Sequence, residues 1–130
     1  MTSHFKPDGH SSVSAYLVAP DALALADFMC TVFGAHEVRR IDHDDGTVRH
    51  VEVKIDDSVI MVGQAGGGFE PVSAWLHVYV ADADGVYARA IAQGASPMFE
   101  PELRPGDTDR RGGFIDPWGN TWFPATQVVQ

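Results

Sequence analysis

His50 and Glu52 stand two apart in the run Thr47 to Ile55, whose apolar members Val51, Val53 and Ile55 alternate with polar ones. In an extended strand residues i and i+2 share a face, so an imidazole and a carboxylate are expected side by side. A second alternating run, Ala74 to Val80, puts His77 between Trp75 and Tyr79 on one face. Two imidazoles and a carboxylate could hold a divalent cation, or serve as acid and base. The plainer expectation is that His50 and Glu52 pair with each other, or with Lys54 and arginines, as polar rim groups.

Other reactive side chains offer less. Ser14 and Ser58 lack the His and Asp pattern of a nucleophilic triad, and no elbow motif surrounds them. Gly66-Gly67-Gly68 has neither the lysine nor the strand and helix of a phosphate loop, and reads as linker. Cys30 is the only cysteine, which excludes an internal disulfide and a thiolate metal cluster; it is read as packing. His4, His10, His36 and His43 carry no ligand spacing and are expected at the surface. No residue is assigned a catalytic role.

The elements that must carry these residues follow from an internal repeat. Val13 to Ala35 and Ala74 to Ala95 each read as an alternating strand, an Asp, an amphipathic helix and a Gly-Ala. Asp21 and Asp82 sit where helix N-caps belong, and Gly34 and Gly94 where helices stop. Leu25, Phe28, Met29 and Val32 form the apolar stripe of the first helix; Val86, Ala90 and Ile91 form that of the second. Three strand-like runs follow each Gly-Ala: His36 to Ile41, Thr47 to Ile55 and Ser58 to Gly63, then Ser96 to Phe99, Gly113 to Asp116 and Asn120 to Ala125. The unit is βαβββ, twice, within one domain spanning 1–130. Module 1 covers about 11–63, a glycine-rich linker 64–72, and module 2 about 73–126. The polar stretch 100–112, with two prolines, is expected to be a loop.

With 130 residues, 45% of them hydrophobic, the chain can bury a real interior. Its net charge of -9 argues against nucleic acid, which needs clustered Lys and Arg, and favours cationic ligands. The polar start of the chain lacks the apolar core of a signal peptide, and no stretch is long enough to span a bilayer, so a soluble cytoplasmic protein without a membrane partner is expected.

The segment Gly112-Gly113-Phe114-Ile115-Asp116-Pro117-Trp118-Gly119-Asn120-Thr121-Trp122 is a strand leading into a tight turn and out again. Pro117 cannot donate to a ladder, while Gly119 and Asn120 tolerate positive φ. This hairpin resembles the last hairpin of the vicinal oxygen chelate superfamily, which includes glyoxalase I, extradiol dioxygenases and bleomycin-resistance proteins. Together with Tyr16-Leu17-Val18, Phe33-Gly34-Ala35, Asp57-Ser58-Val59-Ile60-Met61 and His77-Val78-Tyr79-Val80, it looks most like the PhnB-like branch.

The resemblance implies an α+β fold of two tandem βαβββ modules forming a curved, cup-shaped mixed sheet with helices outside. Under that fold Val13, Ala15 and Leu17, Val51, Val53 and Ile55, and Leu76, Val78 and Val80 pack under the helices. The complementary positions face the cup: Ser14, Tyr16 and Val18; His50, Glu52 and Lys54; Ser58, Ile60 and Val62; Trp75, His77 and Tyr79; Thr121 and Phe123. Trp122 becomes a core residue. Metal-dependent relatives take ligands from the first and last strand of each module, positions held here by Ser14, Ile60, Trp75 and Phe123. These cannot supply a divalent-cation site; His50, Glu52 and His77 are the alternative set, with a divalent metal ion as cofactor. The expectation is therefore a metal-independent homodimer binding a small aromatic or cationic compound, such as an antibiotic, through Tyr16, His50, Glu52, Trp75, His77, Tyr79 and Phe123. The alternative is a metal-dependent lyase, isomerase or dioxygenase.

Overall fold

The first helix begins where a side chain replaces a missing backbone partner. In the computed structural model, which describes residues 5–130, the Asp21 carboxylate accepts from the Ala24 amide at 3.0 Å and caps α1 (Ala22–Phe33). Gly34 ends the helix in the left-handed conformation, φ 70°, returning its amide to the Cys30 carbonyl. Asp82 repeats the device for α2 (Ala83–Ala92), accepting from the Gly85 amide at 3.0 Å.

The strands are β1 (Ala15–Ala19), β2 (His36–Asp42), β3 (Val48–Ile55) and β4 (Ser58–Gln64), then β5 (Trp75–Tyr79), β6 (Ser96–Leu103), β7 (Asp109–Ile115) and β8 (Thr121–Gln127). They form two four-stranded mixed sheets, ordered β1-β4-β3-β2 and β5-β8-β7-β6, each with one parallel pair. The fold is α+β, built from two tandem βαβββ modules. By internal contacts the chain divides into two compact units: residues up to Cys30 with Gly34–Pro71, and Thr31–Phe33 with Val72–Gln130. No helix among the described residues is long and apolar enough to cross a membrane.

In the first unit Leu25, Phe28 and Met29 of α1 are buried, as are Leu17, Val51, Val53 and Val62. In the second, Trp122 and Phe114 are wholly buried and stand opposite one another on β8 and β7. The expected stripe of α2 is buried at Val86 and Ala90.

Three expectations are corrected. Ile60 and Val62 do not face the same way as Glu52: Ile60 lies directly opposite Val53 and Val62 opposite Val51, so both join the buried face, and Met61 and Gly63 share the face of Glu52 and His50. Directly opposed residues share a face whatever their polarity. Val13 lies before β1 and is 87% exposed. Residues 100–103 and 109–112 are strand rather than loop, leaving only 104–108 as the connection between β6 and β7. β6 is an edge strand, where prolines such as Pro97 and Pro101 need not donate outward.

Candidate functional site

Glu52 is the least exposed charged residue of the first unit, at 2%, and its two oxygens are held separately. His50 Nε2 lies 2.6 Å from Oε2, and His10 Nε2 lies 2.7 Å from Oε1. A buried carboxylate needs such partners, since desolvation penalises its charged form. Burial pushes the Glu52 carboxyl up, but the hydrogen bonds from His10 and His50 outweigh it and hold the group below the usual carboxylate range.

His50 also presents Nδ1 to the Tyr16 hydroxyl at 3.3 Å, the two rings lying 5.6 Å apart. Because an ionised carboxylate only accepts, His50 donates from Nε2 to Glu52, and in the neutral ring Nδ1 accepts from the Tyr16 hydroxyl. Tyr16, His50 and Glu52 thus form a relay ending at a phenolic oxygen. The adjacent cavity, about 640 Å³, is lined by Tyr16 and Val18 of β1, Arg39 and Ile41 of β2, Arg49, His50 and Glu52 of β3, Met61 and Gly63 of β4, and Phe69 beyond it. Gly66 and Phe69 exchange backbone hydrogen bonds around Gly67 and Gly68, both at positive φ, and this turn brings Phe69 to the cavity.

Of the expected binding residues, Tyr16, His50 and Glu52 are brought together here. His10, expected as a surface residue, is a correction: its side chain is 11% exposed and clamps Glu52 across 42 positions of sequence. No local spacing signals such a contact. His4 lies outside the described residues. Both oxygens of Glu52 already face imidazoles.

Trp75, His77, Tyr79 and Phe123 belong to the second unit. Phe123 lies opposite His77 on β8, with its ring 5.5 Å from Trp75 and 6.2 Å from Phe99. The His77 and Tyr79 rings meet edge to face at 4.8 Å. Tyr79 donates to Asp109 Oδ2 at 2.7 Å, and Arg111 joins Asp109, Asp107 and His77. Hydrogen bonding to Asp109 pushes the Tyr79 phenol up; Asp109 is held low, chiefly by the same bond. The face of this sheet that carries Tyr79 holds an ionic network.

The metal positions need one revision. Tyr16 and His77 stand at equal distances before their helix caps, and they pair with Met61 and Phe123 respectively, so Met61 replaces Ile60 as the counterpart of Phe123. A thioether is no better a ligand for a hard divalent ion than an isoleucine. The alternative set His50, Glu52 and His77 has its members in two different units. Among the described residues no three His, Cys, Asp or Glu side chains are placed to hold a metal ion. Among the described residues, the side chains at these positions do not fit a divalent metal ion.

The family hairpin is a structural hub. Asp116, 3% exposed, accepts from the Trp118 and Asn120 amides at 2.9 Å, from Asn120 Nδ2 at 3.0 Å and from Trp122 Nε1 at 2.8 Å. Asn120 Oδ1 in turn accepts from the Ala74 amide, fixing the entry to β5.

Comparison with known proteins agrees with this architecture. The model of the Glyoxalase/Bleomycin resistance protein/Dioxygenase superfamily matches residues 9–123. An uncharacterised protein of Mycobacterium bovis is 29% identical over 124 residues, covering 85% of this chain and 80% of its own. Among solved structures, TioX from Micromonospora sp. ML1 superposes with a TM-score of 0.72 at 24% identity, covering 92% of this chain and 98% of its own. The fosfomycin resistance protein FosX from Mesorhizobium loti does so with a TM-score of 0.64 at 19% identity, covering 89% and 91%. At these identities the two structures speak to the fold.

Proposed function

Given that this chain belongs to the glyoxalase/bleomycin resistance protein/dioxygenase superfamily, we propose that it is a metal-independent binding protein that sequesters a small aromatic compound, such as an antibiotic, in its first module. The observation that carries the reading is the cavity of about 640 Å³ beside the Tyr16–His50–Glu52 relay, walled by Tyr16, Ile41, Met61 and Phe69. Its size suits a drug-sized molecule, and its wall pairs apolar side chains with a few placed polar groups. Placement in the PhnB-like branch rests on the motif residues of the sequence. Action as a homodimer in the cytoplasm belongs to the same proposal; the dimer is supported by the 74% and 62% exposure of Trp75 and Tyr79, an aromatic face of the kind partner surfaces carry.

Calorimetric titration of the purified protein with a panel of aromatic antibiotics, quinoxalines and glycopeptides included, tests the reading. Saturable binding that leaves the compound chemically unchanged is expected. A panel without heat or saturation counts against it. Sedimentation showing only monomer at micromolar concentration removes the dimer.

One observation favours a second reading, proton-transfer catalysis. If Tyr16 takes a proton from a bound molecule while passing its own to His50 Nδ1, the resulting imidazolium faces the Glu52 carboxylate, which stabilises it. Chemical conversion of a bound compound, abolished in Tyr16→Phe, would establish it.

A further inference from the structure

The cavity wall carries charge opposite to that of the chain as a whole. Arg39 and Arg49 both line it, in a protein of net charge -9. Arg39 stands directly opposite Glu52 in the β2–β3 ladder, where an ion pair is the obvious outcome. No ion pair forms between them; the Glu52 oxygens are engaged by His10 and His50 instead. Among the described residues, no carboxylate lies within ion-pair distance of Arg39 or Arg49, although Arg40, Arg104, Arg110 and Arg111 all have one. Among the described residues Glu52 is the only acidic one lining the cavity, and it is buried and satisfied. Two arginines without an ion-pair partner among the described residues therefore line a largely apolar cavity.

From this we infer that the ligand of the first module carries an anionic group, a carboxylate or a phosphate-type oxyanion, held by Arg39 and Arg49 while its apolar body lies against Tyr16, Met61 and Phe69. Guanidinium groups match the planar geometry of such oxyanions and bind them through charge-assisted hydrogen bonds. The inference rests on the binding reading above and narrows it. It also reverses the preference for cations that net charge suggests, since a neighbouring guanidinium outweighs distant, screened carboxylates at short range.

Isothermal titration with 2-naphthoate and 2-naphthylmethylammonium, which share an aromatic body and differ in charge, tests it on the whole protein. The carboxylate is expected to bind more tightly than the ammonium compound, to weaken as salt is added, and to lose at least about tenfold in affinity in R39Q/R49Q. Both arginines are exposed, so thermal melting of that variant should match the parent, which separates lost binding from lost fold. Naphthoate affinity unchanged in R39Q/R49Q, or equal affinity for both compounds, overturns the anion assignment while leaving an aromatic-binding cavity in place. Failure of both compounds to bind the parent protein overturns the assignment together with the reading beneath it.

Discussion

Tyr16 lies so close over Gly63 that a Cβ built on the glycine would stand 2.7 Å from the phenolic oxygen and 2.9 Å from a ring carbon. The two residues sit on neighbouring strands, β1 and β4, and both line the cavity. The absence of a side chain at position 63 sets the attitude of the ring, and with it the 3.3 Å approach of its hydroxyl to His50.

Gly63→Ala is therefore expected to separate binding from stability. The clashing atoms are the far end of a ring that is 51% exposed, so it can swing outward at a cost of about 1 kcal/mol in unfolding free energy. The hydrogen bond to His50 goes with it. Titration calorimetry should show ligand affinity falling about tenfold, while the urea midpoint falls by no more than about 1 M and the protein stays folded in buffer.

Removing one clamp from Glu52 is expected to cost more. His10→Ala leaves Oε1 buried without its partner, a loss of about 1–3 kcal/mol measurable by urea denaturation near neutral pH. The pH dependence carries a further sign. A carboxyl held below its ordinary value of 4.5 contributes stability that is present above that value and is lost as pH falls through the depressed folded pKa. In His10→Ala burial is opposed by only one imidazole, so that window narrows and the variant should lose less stability on acidification than the parent.

Asp116 is a structural residue, and the prediction for it concerns folding. Asp116→Ala removes the acceptor for two amides, the Asn120 side chain and the Trp122 indole, and should destabilise by about 3 kcal/mol or more. Asp116→Asn keeps the shape but can set an amide donor against the Asn120 or indole N–H, so it should recover only part of the loss. Denaturation curves of the two variants, with near-ultraviolet circular dichroism of the buried tryptophan, give the comparison.

Tyr79 supplies a spectroscopic check on the second module. Of the three tyrosines, Tyr79 is raised above its ordinary pKa, first by its hydrogen bond to Asp109. Alkaline titration followed by tyrosinate absorbance should show a late component that moves down in Asp109→Asn. A titration unchanged in that variant would place the cause elsewhere.

Much of the scaffold is legible in the chain because its signals are local. Asp21, Gly34 and Asp82 mark helix ends through bonds that reach only a few residues, and the Asp116 hairpin closes within seven. The unreadable parts depend on partners distant in sequence. Ser58 to Gly63 has no polar alternation, so its phase is settled by β3, which puts Ile60 against Val53 and leaves Met61 for the cavity. Pro97, Pro101 and the paired glycines 112 and 113 resemble loop composition, yet an edge position and close packing make them strand: a Cβ on Gly113 would lie 2.7 Å from the Phe99 ring. His50 and Glu52 announce themselves by spacing. His10 and the free state of Arg39 do not, because each follows from how two separated stretches share one carboxylate.

The position of His10 has a consequence for how such a cavity can diversify. One side of the Glu52 clamp comes from chain that precedes β1 and takes no part in the sheet. Changes there alter the partner of Glu52, and with it the polarity beside the cavity, from outside the strand register. A substitution at position 10 thus reaches the cavity's polarity through a single side chain that lies outside the strand ladder.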